Sequence, residues 1–152
     1  MKRFSGQLKA SGSTVELNLI APVIGCWDRH RIEQVIVNLI SNAIKYAPRS
    51  PIHISADTNG EIAWLVVQDF GSGIPKDLQP KIFDRFERAG ASKNVGGLGL
   101  GLFIVKKIVD AHHGKIRVES GEQKGTKFIV ELPLKPSLST SHNSDEGTHN
   151  GL

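Results

Sequence analysis

Asn38, Asn42 and Lys45 form a polar stripe in a segment whose remaining positions are largely apolar, Asn38-Leu39-Ile40-Ser41-Asn42-Ala43-Ile44-Lys45-Tyr46. A helix turns about 100° per residue, so steps of four and three bring the three side chains onto one face. Gln34, one turn earlier, extends the stripe, and Ile32, Val35, Ile36, Leu39 and Ala43 supply the apolar face. Such a stripe is either a solvated helix face or a surface that meets a polar ligand. Buried unpaired amides cost a few kcal/mol each, roughly 1–3 by mutational measures, so a packed stripe needs partners. A magnesium-bound polyphosphate would supply them, because amide oxygens suit a hard cation and an ammonium suits phosphate.

The chain has 152 residues, enough for one domain with a real core. Its longest apolar run, near Ala63-Trp64-Leu65-Val66-Val67, is strand-length and far short of a membrane span. The residues around Met1 are polar and do not resemble a secretory signal. The one cysteine, Cys26, has no internal disulfide partner and reads as a small core residue in a reducing compartment. All 19 basic residues precede Pro136, whereas two of the 15 acids, Asp145 and Glu146, follow it. The folded part is therefore more positive than the whole-chain charge of +4, which favours an acidic partner such as a nucleotide. No basic block interleaved with aromatics is present, which argues against a nucleic-acid surface.

Residues 1–13 read as a non-helical remnant of a linker or of an upstream helix, broken at Ser11-Gly12-Ser13. Val15 to Ile20 alternates as a strand, and Val23 to Trp27 reads as a short extended piece. Asp28 is a good N-cap for a helix reaching Tyr46, ended by Pro48. Ile52 to Ala56 and Ile62 to Gln68 read as strands around the turn Asp57-Thr58-Asn59-Gly60. The second is apolar almost throughout and is expected to be central and buried on both sides. Pro75 is placed to open a short helix to about Phe83. Residues 84–97 lack periodicity. Leu98 to His113 is helical, with Gly114 as its expected C′ residue. Lys115 to Glu119 and Thr126 to Leu132 form a hairpin. Residues 14–135 are thus one domain, and 136–152 are a disordered tail of Ser, Thr, Asn, His and Gly. This order gives an α/β two-layer sandwich, a mixed sheet of about five strands covered on one face by three helices.

Two glycine-bearing stretches follow the stripe. In Asp69-Phe70-Gly71-Ser72-Gly73-Ile74 a carboxylate ends a strand, and alternate glycines let the backbone turn and a ligand approach. The carboxylate suits an adenine amino group, although a plain Asp-Gly turn has the same appearance. In Gly96-Gly97-Leu98-Gly99-Leu100-Gly101-Leu102, glycines precede a helix whose N-terminal amides can face phosphate. Tight helix–sheet packing explains such a cluster equally well. The spacing matches neither the P-loop nor the dinucleotide fingerprint.

Together, in this order, the three stretches resemble the N, G1 and G2 boxes of the catalytic ATP-binding domain of bacterial sensor histidine kinases. Ile82-Phe83-Asp84-Arg85-Phe86-Glu87-Arg88 resembles that family's F box, and the resemblance runs from about Val15 to Leu134. It implies the Bergerat fold, with ATP held between helices under a lid. It implies that Asn42, with Asn38 beside it, holds Mg2+, that Lys45 contacts phosphate and that Tyr46 lies by the adenine. It further implies that Asp69 accepts from the adenine amino group and that Gly71, Gly73 and Ile74 shape that pocket. Residues 84–97 would be the lid, and Gly97, Leu98, Gly99, Leu100, Gly101 and Leu102 would border the phosphates. Arg85 and Arg88 are candidates for contact with the transferring phosphoryl group, which needs fixed cations around it. One departure is His112-His113-Gly114, where the family usually has His-Gly-Gly.

None of the six histidines lies in a Ser-His-Glu/Asp-Leu-Arg setting, which marks the phosphoacceptor of this family. The resemblance therefore implies the ATP half of the reaction. A histidine-containing dimerisation and phosphotransfer domain would act in cis in a longer protein or in trans, with a response regulator further on and a cytoplasmic location. The non-helical start favours a fragment. Two alternatives are an anti-sigma-type serine kinase, which the F box disfavours, and a nucleotide-binding module without transfer.

Overall fold

The computed structural model describes residues 4–85 and 100–136. Its elements are α1 (Ser5–Ser11), β1 (Thr14–Leu19), α2 (Arg29–Tyr46), β2 (Pro51–Thr58), β3 (Ile62–Asp69), α3 (Gly101–Ala111), β4 (Lys115–Gly121) and β5 (Gly125–Pro133). The five strands form one sheet in the order β1-β2-β3-β5-β4. β1 runs parallel to β2 and every other pairing is antiparallel, so the sheet is mixed as expected.

Alternation decides which side of the sheet is covered. Ile52 and Ile54 of β2, Ala63 and Val67 of β3, and Phe128, Val130 and Leu132 of β5 are buried. With the exception of Ala63 these residues join Val35, Leu39, Ile40 and Ala43 of α2 and Val105, Ile108 and Val109 of α3 in one core. β3 is central, but only one of its faces is covered. Trp64, Val66 and Gln68 point the other way and are half-buried, with Trp64 Nε1 donating to Glu131 3.3 Å away. The expectation of a strand buried on both sides is corrected. The second face carries Trp64, Gln68 and Glu131 beside the apolar Val66 and Ile129, and of these only Ile129 is buried.

The α2 helix starts where its sequence says. Asp28 accepts a hydrogen bond from the Arg31 amide at 3.1 Å, and the helix closes at Tyr46 with Ala47 as C-cap. Three other expectations change. Residues 5–11 are helical, with Phe4 buried and Leu8 packed on the core, a spacing of one turn in a stretch read as non-helical. The segment after Pro75 forms turns and only a 3-10 turn at Gln79–Lys81, because Pro80 offers no amide and restricts the residue before it. Thus α1, not that segment, is the third α-helix among the described residues. Cys26 is exposed, not part of the core. Val23 to Trp27 is no strand, although the Cys26 amide donates to Leu134 O and Trp27 Nε1 to Pro133 O at 2.9 and 2.8 Å.

The end of α3 shows what the His112-His113-Gly114 departure does. His113 occupies the left-handed region at φ 58°, one position before the glycine expected to do so. Its amide donates to Asp110 O and that of Gly114 to Val109 O, at 3.0 and 2.9 Å, closing a Schellman turn. A side chain at this φ is strained. His113→Gly is expected to raise stability by about 1 kcal/mol, read from the urea midpoint at unchanged slope. No gain would mean that the histidine side chain offsets the strain.

Candidate functional site

The C-terminal half of α2 turns two kinds of surface in two directions. Val35, Leu39 and Ala43 enter the core, while Asn38 and Asn42 are half-buried on another face, with Lys45 exposed in the last turn. Asn38 Nδ2 donates to Gly101 O at 3.3 Å. That bond joins the stripe to the first residue of α3, at the end of the second glycine-bearing stretch. It turns the nitrogen end of the Asn38 amide toward α3 and the oxygen end away from it. The start of α3 carries no side-chain cap and no acid in its first turn. Leu100 is the N-cap residue and Leu102 packs against the core. First-turn amides without a cap retain donors for an anion.

Asp69 ends β3 and is 5% exposed. Its Oδ1 accepts from the Gly71 amide at 3.0 Å and from the Thr126 amide at 3.3 Å. Both bonds fall on one oxygen, which leaves Oδ2 for a donor outside the protein. Burial holds the carboxyl pKa above its ordinary value, and the two amide bonds offset part of that rise. A carboxylate placed at this expense at a strand end has the marks of a functional group.

The backbone after Asp69 runs close to two neighbours, and this accounts for both glycines. A Cβ at Gly71 would lie 2.8 Å from Ala47 Cβ and 2.9 Å from Tyr46 O, so the loop lies against the C-terminus of α2. Gly73 has φ 81°, and a Cβ there would overlap the carbonyl of Gly121. Ile74 is buried. Tyr46 is 38% exposed beside this loop. The fold therefore brings Asp69, Gly71 and Tyr46 together, and separately Asn38 and Gly101, with α2 bridging the two groups.

The F-box stretch packs through Ile82, which is buried, and Phe83, whose ring stands edge-on to Phe128 at 6.3 Å. Arg85 sits over the Phe103 ring, 6.0 Å from its centroid. Arg88, Gly97, Leu98 and Gly99, with most of the expected lid, lie outside the described residues. Sequence reasoning missed Thr126, Ser120 and Gln79. Thr126 is buried and directly paired with Asp69 across β3 and β5. A Thr directly after the hairpin glycine was the available signal for it. Ser120 and Gln79 gave none.

The donor set suits magnesium only in company. Among the described residues no group of three or more His, Cys, Asp or Glu side chains is placed to hold a metal. The amide oxygens of Asn42 and Asn38 are two hard ligands, and magnesium commonly completes its shell with phosphate oxygens and water.

Residues 27–136 match the family described as "Histidine kinase-, DNA gyrase B-, and HSP90-like ATPase". The chain belongs to this family. It is 37% identical over 134 residues to the sensor protein SrrB of Staphylococcus aureus, covering 86% of this chain and 23% of that protein. It therefore spans about a quarter of that relative. The catalytic domain of histidine kinase ThkA superposes with a TM-score of 0.78 at 32% identity, over 89% of this chain and 88% of that one. Full-length ShkA, solved in complex with AMPPNP, superposes with a TM-score of 0.76 at 25% identity, over 90% of this chain and 28% of that one. The chain is thus an ATP-binding catalytic domain of histidine-kinase type, and the expected two-layer sandwich is the observed one.

The raised Asp69 pKa has a definite sign. The folded chain keeps this proton to higher pH than the unfolded chain does. Stability from this group therefore falls as pH rises from the ordinary value of 3.8 through the raised one. Asp69→Asn is expected to be at least as stable as the parent at pH 7, with the difference shrinking as the pH approaches 3.8. With its oxygen held by Gly71 and Thr126, the new amide would turn its NH2 toward the ligand. Affinity for ADP should then fall about a hundredfold. Chemical unfolding across pH, with calorimetry on the same samples, checks both halves.

Proposed function

We propose that this chain binds Mg2+·ATP and donates the γ-phosphoryl group to a histidine on a dimerisation and phosphoacceptor domain, in the same longer chain or in trans. The observation that carries the proposal is the pairing of a buried Asp69 with a free Oδ2 and a half-buried amide stripe whose Asn38 is tied to the start of α3. One end reads an amino-purine and the other meets a polyphosphate. The sensor-kinase relatives, and the AMPPNP complex of ShkA, support the same assignment.

In the proposed roles Asp69 accepts from the adenine amino group, and Gly71, Gly73 and Ile74 form the loop wall beside it. Tyr46 borders the base. Asn42 and Asn38 hold Mg2+ through their amide oxygens, and Lys45 contacts phosphate. Bound magnesium would neutralise charge on the phosphate oxygens. Arg85 and Arg88 remain the candidates for the transferring group, and Gly97, Leu98, Gly99, Leu100, Gly101 and Leu102 border the phosphates. Transfer breaks the bond between the γ-phosphorus and the β,γ-bridging oxygen and forms a nitrogen–phosphorus bond to the acceptor imidazole, leaving ADP. The acceptor and any base beside it come from the partner domain. A response regulator would take the phosphoryl group next. The proposed location is the cytoplasm, where ATP is available. No helix among the described residues is long and apolar enough to cross a membrane. Residues 14–135 would form the catalytic domain, with 1–13 leading into it and 136–152 as a tail.

Glu33 lies on α2, but the positions nearer Asn42 are Asn38 and Ser41. No acid stands there to activate water, so hydrolysis by the chain alone should not exceed background. Calorimetric titration with a non-hydrolysable ATP analogue is expected to show micromolar binding that magnesium strengthens. Asn42→Ala should remove the magnesium dependence and weaken binding at least about tenfold without moving the unfolding midpoint. Unchanged affinity in that variant would sink the proposed metal site. Rapid ATP turnover without a partner would sink the kinase assignment.

A further inference from the structure

The loop that follows Asp69 contains two glycines in three positions, which makes its unrestrained backbone entropy high. In the folded chain both polar backbone groups of Ile74 are taken by side chains from elsewhere. The Ile74 amide donates to Ser120 Oγ at 2.7 Å. The Ile74 carbonyl accepts from Gln79 Nε2 at 2.9 Å. The same Gln79 nitrogen donates to Ser120 O at 3.2 Å, so one carboxamide spans the loop and the end of β4. A backbone bond from Gln123 to Ser72 O, 2.9 Å, completes the join.

Ser120 is used to capacity. Its hydroxyl donates to Gly125 O at 2.9 Å and lies 3.0 Å from Thr126 Oγ1. With its proton on Gly125 O, it accepts from both the Ile74 amide and the Thr126 hydroxyl, which employs one hydrogen and two lone pairs. The same hydroxyl therefore fixes the loop wall and the orientation of the Thr126 side chain, and the backbone amide of Thr126 holds Asp69 Oδ1.

We infer that Ser120 and Gln79 are positioning residues for the adenine end of the site, clamping the glycine loop to the β4–β5 hairpin so that the base finds a ready-made wall. The inference rests on the adenine-nucleotide reading above. The clamp lowers the ordering that binding must impose on residues 71–74, and this raises affinity without any contact to the ligand. Its reach is local: it acts on the base and leaves the polyphosphate end of α2 alone.

That locality defines the test. The full chain and its Ser120→Ala, Ser120→Thr and Gln79→Leu variants are titrated with ADP and, separately, with inorganic tripolyphosphate, both with magnesium, and unfolded in urea. Ser120→Ala and Gln79→Leu should weaken ADP about tenfold and leave tripolyphosphate unchanged, and Ser120→Thr, which keeps the hydroxyl, should restore ADP binding. The inference is overturned if Ser120→Ala binds ADP like the parent. It is overturned equally if ADP and tripolyphosphate weaken together with a lowered urea midpoint, since that is the signature of a merely structural serine. A parent chain that binds tripolyphosphate but no ADP refutes the adenine reading itself, and the clamp with it.

Discussion

The burial of one carboxylate governs the rest of this molecule. Asp69 sits at the end of the central strand, where an unpartnered charge would be expelled, and two backbone amides on a single oxygen keep it there. Those amides come from opposite directions. Gly71 brings the following loop back against the end of α2, and Thr126 ties the strand to its neighbour. Displacing the carboxylate would therefore disturb the loop, the helix C-terminus and the hairpin at once. The stability that tolerates this charge comes from the apolar layer between α2, α3 and the sheet, in which Leu39, Val105 and Val130 are completely buried.

That arrangement separates support from chemistry along single elements. In α2, each turn supplies core residues on one face and, on another, the half-buried amides of Asn38 and Asn42. In β3, Val67 belongs to the core and Asp69, two positions later on the same face, belongs to the site. The spacing of two keeps both on the covered side of the sheet, so the carboxylate is buried by the same periodicity that buries the valine.

Much of this was written legibly in local sequence. The span and N-cap of α2, the five strands and the closing hairpin follow from periodicity and turn chemistry, and the order of four motifs identified the family. What was illegible depended on distant partners. Ile62 to Gln68 is apolar enough to suggest two covered faces, yet the number of layers is a property of the whole chain. The apolar neighbours of Cys26 suggested burial, but no element among the described residues covers it. The helix at Ser5–Ser11 rests on only two large apolar side chains, Phe4 and Leu8, too few to show a period. Within the site, Asp69 and the asparagines are conspicuous because their chemistry is unusual for their positions. Ser120 and Gln79 are ordinary polar residues, and only their meeting at Ile74 gives them a role.

The stitching of the glycine loop to the hairpin also bears on how the chain folds. Asp69 and Thr126 are 57 positions apart, and Ser120 lies 46 beyond Ile74. Contacts between such distant segments carry a larger loop-closure entropy than local ones, which slows their formation. The proposed base wall is then expected to form late in folding. Nucleotide would stabilise the finished domain alone, and protection of the Ile74 amide against hydrogen exchange would report the opening of that finished domain in place of a local loop fluctuation.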